Sequence, residues 1–510
     1  MFLVGAGPGD EGLITVRGLE LLRSADVVIY DSLANPRLRQ EAPPDAQHVP
    51  VGARGDATKL SQDEINELML QGARQGKHVV RLKGGDPYLF GRGGEEAEFL
   101  GQHGIACEVV PGVTAGIAAP MAAGLPITRR DLASTVTFVT GHEDASKEQA
   151  AVDYEALAAL IRRGGSVCFY MAMARLGAIA RHLQATQLGP DTPVAIVQWG
   201  FTPRQRSIRT TLARAESDTA DLNLGSPAIV VVGQVAAIDG PGLDFYTRRP
   251  LFGRRIVITR TRQQASRLRV MLAEIGADVL EAPTIELVPP SDWTSVDQWI
   301  ARMDQFDWLL LTSVNGVLAL ADRLNYLGLD SRHLASVKIG VIGDATEATV
   351  YRHLGIRADL VPPHYVSESL AKTLITNHDV RKKRILMLRA DLARTDLRRL
   401  LTEAGASVTD VTIYETKRPG KLPDDVINAL RQGEAHWITF TSSSTAQNMA
   451  SLLAGETGLL DRVRIASIGP ITSRTIRGLG WPVAVEAVPS NLEGLVEAIL
   501  KAESGAESKG

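Results

Sequence analysis

The chain has 510 residues, of which 45% are hydrophobic and 22% charged, and its formal net charge is −3. This is the composition of an ordinary globular protein that is too long for one core, and it lacks the basic excess that would attract nucleic acid. Two cysteines, Cys107 and Cys168, without paired spacing exclude a disulfide scaffold and predict a cytoplasmic protein with no metal site.

No membrane partner is expected from the hydropathy of the chain. The longest apolar run, residues 228–238, is too short to span a bilayer. The first four residues, Met-Phe-Leu-Val, lack the basic region of a signal peptide.

A glycine-rich turn, Val4-Gly5-Ala6-Gly7-Pro8-Gly9-Asp10, follows the first short apolar strand. Glycines at alternate positions allow positive φ and a close approach of the backbone to a ligand. The turn is not a dinucleotide fingerprint, because Asp10 and Glu11 stand where the pyrophosphate would bind and would repel it. The turn therefore favours a cationic ligand.

Strand-like runs alternate with helical stretches along most of the chain, for example at residues 26–30, 78–82, 136–140, 166–170 and 228–232. This alternation predicts α/β architecture with largely parallel sheets. A segment rich in glycine and proline interrupts it and predicts a linker at 241–253, between domains at 1–240 and 254–503. The polar residues 504–510 predict a disordered tail.

The second half contains an internal duplication. A shift of 129 residues superimposes residues 256–287 on 385–416 without a gap, and ten positions are identical. The same shift places Trp308, Thr312 and Ser313 on Trp437, Thr441 and Ser442. We therefore predict two similar α/β lobes with a ligand cleft between them.

In the first half, several loops follow predicted strands, where open α/β sheets bind ligands. They are Lys83-Gly84-Gly85-Asp86-Pro87, Pro111-Gly112-Val113-Thr114-Ala115, Met171-Ala172-Met173 and Trp199-Gly200-Phe201. Any one of them alone is better explained as a tight turn. The set as a whole indicates a binding site.

These motifs, in this order, resemble those of uroporphyrinogen-III C-methyltransferases over nearly all of residues 1–240. The resemblance implies the tetrapyrrole-methylase fold of two α/β domains, a homodimer formed through this half, and S-adenosylmethionine as methyl donor. It implies two methylations of uroporphyrinogen III to precorrin-2. The implied cofactor-binding residues are Pro8, Gly84, Gly85, Asp86, Leu89, Thr114, Ala115, Met171 and Gly200.

The same resemblance implies that Asp31 is the general base that removes a proton from the methylated carbon. An aspartate at the end of a strand is otherwise a common turn residue. A lysine that the family uses as proton donor is replaced here by Ala53, and its neighbour Arg54 is a poor acid. The substrate carries eight carboxylates, for which guanidinium groups are suitable partners. The candidates are Arg54, Arg81, Arg129, Arg130 and Arg204.

The second half has arginines and small hydroxyl residues at predicted strand ends. Its segments Ile258-Thr259-Arg260, Thr312-Ser313, Ile342-Gly343-Asp344-Ala345-Thr346, Tyr414-Glu415-Thr416, Phe440-Thr441-Ser442-Ser443 and Ile468-Gly469-Pro470-Ile471-Thr472 resemble those of uroporphyrinogen-III synthases. This family closes hydroxymethylbilane into a ring, inverts the last pyrrole and uses no cofactor. The resemblance implies Tyr414 as the residue that helps hydroxide leave. Substrate contacts are expected from Arg260, Thr346, Arg389, Ser442 and Thr472.

The two resemblances are complementary, because the product of the second half is the substrate of the first. We therefore predict a bifunctional enzyme of tetrapyrrole biosynthesis, leading to sirohaem or cobalamin, whose partners are small-molecule tetrapyrroles. Two alternatives stay open: the first half methylates a later corrin intermediate, or the second half is a non-catalytic tetrapyrrole sensor.

Overall fold

The computed structural model describes residues 1–52, 60–141, 152–240, 242–260, 262–364, 367–391 and 396–507. Residue contacts divide the chain into two units. Unit 1 comprises Met1–Ile256, Val270–Val279 and Ile499–Gly510, and unit 2 comprises Val257–Arg269 and Leu280–Ala498.

The first sheet of unit 1 is parallel throughout. Its strands are β1 Phe2–Gly5, β2 Val27–Tyr30, β3 Gln47–Pro50, β4 Val79–Lys83 and β5 Glu108–Val110, in the order β3-β2-β4-β1-β5. The helices are α1 Val16–Arg23, α2 Gln62–Arg74 and α3 Gly93–Gln102. Helix α2 begins at a capping box formed by Ser61 and Glu64. Because the strands are parallel, the loops after β1, β2, β4 and β5 lie at one edge of the sheet.

The second sheet of unit 1 is mixed. It contains β6 Val136–Thr140, β7 Ser166–Tyr170, β8 Pro193–Gln198, β9 Arg206–Thr211 and β10 Ala228–Val232, in the order β6-β7-β10-β8-β9. The accompanying helices are α4 Ala115–Ala122, α5 Tyr154–Arg162, α6 Leu176–Ala185 and α7 Ala215–Asp221. Strands β6 and β7 are parallel, whereas β10 is antiparallel to β7 and β8, and β8 is antiparallel to β9. The prediction of largely parallel sheets is therefore wrong here, because the short 199–205 connection makes β8 and β9 a hairpin.

The second half forms two further five-stranded sheets. Its strands are β11 Arg255–Ile258, β12 Asp278–Glu281, β13 Glu286–Val288, β14 Trp308–Leu311, β15 Lys338–Val341, β16 Arg384–Ala390, β17 Ser407–Lys417, β18 Trp437–Phe440, β19 Arg464–Ser467 and β20 Val485–Glu486. Its helices are α8 Arg262–Glu274, α9 Thr294–Ile300, α10 Val314–Tyr326, α11 Asp344–Leu354, α12 Ser367–Asn377, α13 Asp396–Glu403, α14 Asp424–Arg431, α15 Ser443–Leu452, α16 Pro470–Gly478 and α17 Leu492–Glu507. The first lobe has the sheet β12-β11-β18-β19-β20, and the second lobe has the sheet β13-β17-β16-β14-β15.

The duplication is confirmed in the strand order, but the lobes do not coincide with the repeats. The order β12-β11-β18-β19 of the first lobe matches the order β17-β16-β14-β15 of the second. Three of the equivalent strand pairs are 129 residues apart, and β15 and β19 are 126 apart. Each lobe thus combines the opening strands of one repeat with the closing strands of the other. Strand β13 pairs antiparallel with the end of β17. In this ladder Leu287 lies opposite Thr416, the residue at the equivalent position of the second repeat.

The predicted linker contains buried residues, and part of the predicted tail is helical. In the predicted linker, Tyr246 and Leu251 are buried, and the Tyr246 ring lies 5.2 Å from that of Phe201. Helix α17 continues to Glu507, so the disordered tail predicted at 504–510 is wrong for residues 504–507. Glu503 is buried and pairs with Arg254 at 2.6 Å, which explains the order of this last helix.

Candidate functional site

Four glycine-bearing loops meet at the edge of the first sheet. The amide and carbonyl of Gly7 exchange hydrogen bonds with Gly85 at 3.2 and 3.0 Å. A Cβ on Gly5 would lie 2.5 Å from the Cα of Gly112, and one on Gly9 would lie 2.6 Å from the carbonyl oxygen of Gly200. These contacts leave no room for side chains, so the glycine pattern noted in the sequence is a packing requirement.

Two polar side chains hold these loops together. The Asp86 carboxylate accepts hydrogen bonds from the amides of Tyr88, Leu89 and Gly112, at 2.8, 3.1 and 3.0 Å. The Tyr170 hydroxyl bonds the Thr114 hydroxyl at 2.6 Å and accepts the Gly116 amide at 2.7 Å. Burial raises the pKa of Tyr170, which keeps its proton available for the Thr114 oxygen.

Five non-glycine residues in the loops after β4, β7 and β8 adopt positive φ angles: Phe90, Arg92, Met171, Trp199 and Phe201. Such conformations cost energy and concentrate at functional sites. The exposed Met171 side chain therefore sits on a strained turn directly after β7. The sequence did not reveal this strain, because methionine and aromatic residues carry no turn signal.

Asp31, the candidate base, follows β2 and is held by a buried group of charges. Its carboxylate pairs with Arg81 at 2.5 Å, and Arg81 also contacts Glu96 at 3.3 Å. Glu96 accepts a further bond from Lys83 at 2.8 Å. Burial and the neighbouring Arg81 lower the pKa of Lys83. The Arg81 guanidinium is thus already paired with Asp31 and Glu96 inside the protein. The sequence did not identify Glu96 as a member of this group, because glutamates on a helix are usually solvated.

The remaining candidate substrate arginines of the first half lie in different environments. Arg129 and Arg130 are exposed beside a tight turn, and Arg204 is exposed with its guanidinium 4.5 Å from the centre of the Trp199 ring. Arg54, together with Ala53, lies outside the described residues. Three of the five predicted arginines therefore present solvent-accessible guanidinium groups.

The second candidate site lies in unit 2, at the end of β16. The hydroxyls of Tyr414 and Ser313 are 3.0 Å apart, and Ser313 also accepts the Gly316 amide at the start of α10. Tyr414 stands where β17 changes partner from β16 to β13. It also lines a groove of about 350 Å³. The candidate catalytic tyrosine is therefore accessible to a small ligand.

The two equivalent arginines of the duplication differ in their partners. Arg389 forms a two-pronged ion pair with Asp410, at 2.6 and 2.5 Å, and both side chains are largely buried. No described residue pairs with the Arg260 side chain, and burial lowers its pKa. Arg260 can therefore bind an anionic group of a ligand, whereas the Arg389 guanidinium is already paired with the Asp410 carboxylate.

The predicted hydroxyl contacts lie at helix starts. Thr346 and Thr472 are buried in the first turns of α11 and α16. Ser442 accepts the Thr445 amide and so caps α15. Within the described ranges, no three His, Cys, Asp or Glu side chains come together to hold a metal ion. No helix in that part of the chain has the length and hydropathy needed to cross a membrane.

Comparison with known protein families matches residues 1–216 to the tetrapyrrole (corrin/porphyrin) methylases and residues 266–497 to the uroporphyrinogen-III synthase HemD. The porphyrin biosynthesis protein HemD of Ruminiclostridium josui is 34% identical over 99% of this chain and 98% of its own length. The S-adenosyl-L-methionine-dependent uroporphyrinogen III methyltransferase of Methanosarcina barkeri is 45% identical over 46% of this chain and 91% of its own length. A solved uroporphyrin-III C-methyltransferase of Thermus thermophilus, complexed with S-adenosyl homocysteine, is 37% identical over 46% of this chain and 97% of that structure, with a TM-score of 0.39.

Proposed function

This chain belongs to the family of the porphyrin biosynthesis protein HemD, and from that premise we propose that it catalyses two consecutive steps of tetrapyrrole synthesis. Its second half cyclises hydroxymethylbilane to uroporphyrinogen III with inversion of the last pyrrole. Its first half methylates that product twice to give precorrin-2. The presence of both family matches in one chain supports this assignment.

The observation that carries the proposal is the meeting of the four glycine-bearing loops around Gly7, Gly85, Gly112 and Gly200. A Cβ on Gly85 would lie at an ordinary contact distance, 3.8 Å, from the Ala115 amide, so the loops after β4 and β5 line one surface whose backbone groups would hold S-adenosylmethionine. The residues that would hold it are Pro8, Gly84, Gly85, Asp86, Leu89, Thr114, Ala115, Met171 and Gly200. S-adenosylmethionine supplies an electrophilic methyl group.

The protein contributes positioning and one proton transfer to methylation. Asp86 fixes the loop after β4 to Gly112, so that the methyl donor and the acceptor carbon are aligned by rigid backbone. The Asp31 carboxylate accepts the proton that the ring carbon loses after methylation, and Arg81 holds this carboxylate in place. Exposed arginines such as Arg129, Arg130 and Arg204 bind substrate carboxylates.

In the second half, Tyr414 protonates the departing hydroxide. The C–O bond of the hydroxymethyl group breaks with its electron pair on oxygen, and the tyrosine proton converts that oxygen to water. The substituted α-carbon of the last pyrrole then forms a C–C bond to the resulting electrophilic carbon, which gives a spiro intermediate. The older C–C bond from that α-carbon to the preceding methylene breaks, and the methylene bonds instead to the other α-carbon of the same pyrrole, whose proton returns to the phenolate as aromaticity is restored. Ser313, at 3.0 Å, orients the hydroxyl. Arg260, Thr346, Ser442 and Thr472 contact the folded substrate.

The proposal is tested with the purified full-length protein, hydroxymethylbilane, and S-adenosylmethionine present or absent. Without the methyl donor we expect uroporphyrinogen III, and with it precorrin-2. Asp31→Asn should lower the methylation rate by about 10²–10⁴-fold and leave cyclisation unchanged. The exposed Asp45→Asn serves as control.

The products discriminate the alternatives. Isomer I alone, as in spontaneous closure, would identify the second half as a tetrapyrrole sensor. Isomer III without methylation would point to a later corrin intermediate as the acceptor of the first half. Full methylation by Asp31→Asn would remove this residue from the mechanism.

The proposal includes a cytoplasmic homodimer formed through the methyltransferase half. Exposed apolar side chains of unit 1, among them Tyr88, Ile117 and Met121, support a covered surface in this half. Light scattering of the full chain should give twice the monomer mass, and a monomeric mass at micromolar concentration would contradict the dimer.

A further inference from the structure

The groove beside Tyr414, here called the Tyr414 groove, lies between helix α10 and the β13–β17 ladder. Asn315, Ala319 and Asp322 line it from α10, and Val288 and Ile413 line it from the strands. These helix positions are three to four residues apart, so they share one face of α10 over about 10 Å. The volume of about 350 Å³ is near the lower end of ligand pockets, which suits one substituted ring and not a whole tetrapyrrole.

One wall of the groove is rigid before any ligand binds. The Arg323 guanidinium lies between two rings, 4.2 Å from the centre of Trp293 and 4.4 Å from that of Tyr326. Two hydrogen bonds to Asp297, at 2.7 and 2.5 Å, fix the same guanidinium. Arg323 is therefore neutralised, and this wall offers aromatic surface instead of a positive charge.

Three polar side chains that line the groove, Asn315, Asp322 and Tyr414, all offer oxygen atoms that can accept a hydrogen bond. No described residue forms a hydrogen bond with the side chains of Asn315 or Asp322, so an amide and a carboxylate lining the groove are available to a ligand. Tyr414 adds a hydroxyl that is already oriented by Ser313. A ring with an N–H donor finds acceptors here, whereas Asp322 repels carboxylate substituents and favours a ring that becomes positively charged.

We propose that the Tyr414 groove is the subsite for the single terminal pyrrole that carries the hydroxymethyl group. Asn315 accepts the pyrrole N–H, and Tyr414 faces the hydroxymethyl oxygen. Asp322 directs the carboxylate side chains of the ring outward. This assignment rests on the proposed synthase activity and adds the residues that select which end of the linear substrate enters beside the tyrosine.

The test fills the groove and measures cyclisation by the full-length protein. In Ala319→Phe, a bulky side chain occupies the ring position, and we expect the KM for hydroxymethylbilane to rise at least about tenfold. Asn325→Phe, on an exposed position of the same helix, is the matched control and should stay within about twofold of wild type. Methylation of added uroporphyrinogen III should be unchanged in both variants, and an unchanged urea-unfolding midpoint verifies that the substituted lobe is folded.

A second pair of variants tests the recognition of the ring nitrogen. Asn315→Leu removes the acceptor and should raise the KM about three- to tenfold, while Asn315→Asp keeps an acceptor oxygen and should restore it. An unchanged KM in both Ala319→Phe and Asn315→Leu, with wild-type protein that makes isomer III, would overturn the subsite alone. Failure of the wild type to make isomer III would instead overturn the proposed synthase activity.

Discussion

Arg260 and Arg389 occupy equivalent positions of the duplication but have taken different roles. Asp410 neutralises Arg389, whereas the residue equivalent to Asp410, Glu281, lies 3.6 Å from Arg269 instead. Because Glu281 contacts Arg269, the Arg260 guanidinium remains available to an anionic group of a ligand. Resemblance alone predicted the same substrate contact for both arginines, and the ion pair favours Arg260.

Replacing each arginine by glutamine should separate these roles. Arg389→Gln leaves the largely buried Asp410 carboxylate without its counter-charge, so we expect a loss of about 3 kcal/mol in the free energy of unfolding. Arg260→Gln removes a charge that no described residue pairs with, so it should preserve stability while raising the KM for hydroxymethylbilane. Urea titrations and cyclisation kinetics measure both effects. Equal loss of stability in the two variants would contradict the assignment.

Tyr170 contributes to stability through hydrogen bonds at the proposed cofactor-binding loops. Its hydroxyl bridges Thr114 and Gly116, so Tyr170→Phe leaves two buried partners with one bond fewer. We expect a loss of about 1–2 kcal/mol in stability and weaker binding of S-adenosylhomocysteine, measured by calorimetry. Tyr351→Phe, at an exposed position of α11 in the second half, is the control. Unchanged affinity in Tyr170→Phe would show that the bridge does not shape the site.

At the scale of elements, the Glu415 carboxylate on β17 accepts a hydrogen bond from the Ser291 amide and so ties the segment after β13 to β17. The Ser291 amide and the Lys417 ammonium lower the pKa of Glu415 from 4.5 to about 2. Because the folded pKa lies below the unfolded one, Glu415 contributes stability above pH 4.5, and this contribution is lost as the pH falls toward 2. The ladder should therefore weaken in acid before the sheets do.

Glu415→Gln tests this pH dependence. The stability difference between wild type and variant should be constant above about pH 5 and shrink steadily below it, as followed by urea midpoints at several pH values. The exposed Asp424→Asn is the control. A difference that stays constant down to pH 3 would exclude Glu415 as the titrating group.

At the scale of the whole molecule, the exchange of strands between repeats determines which fragments can fold. Residues 283–421 contain every strand of the second lobe, from β13 to β17. Residues 254–383 form the first repeat but supply strands to both lobes. A sequence repeat is therefore not a folding unit here.

We expect the isolated fragment 283–421 to unfold cooperatively in urea and to give a dispersed amide NMR spectrum. Fragment 254–383 has no complete sheet and should remain largely unfolded under the same conditions. Cooperative unfolding of the 254–383 fragment would mean that each repeat can form its own lobe.

The sequence predicted the elements well and their pairing poorly. The strands at 136–140, 166–170 and 228–232 have the predicted bounds, because runs of β-branched, aromatic and other apolar residues between polar loops are strong local signals. Strand direction in the second sheet depends on pairings such as Ile229 with Tyr170, and the exchange between repeats joins Thr259 to Thr439 across 180 residues. Local patterns do not contain such pairings. The Asp31–Arg81–Glu96–Lys83 cluster was missed for the same reason, since its members come from different elements.

The exchanged strands also have a consequence during synthesis on the ribosome. Strand β11 needs β18 as its neighbour in the sheet, and the Thr259 side chain bonds the Thr439 carbonyl 180 residues later. At about 5–20 residues per second, the nascent β11 waits on the order of 10–40 s for that neighbour. During this interval its apolar edge is available to chaperones or to other nascent chains, and all strands of the second lobe, the last of which ends at Lys417, are synthesised before β18.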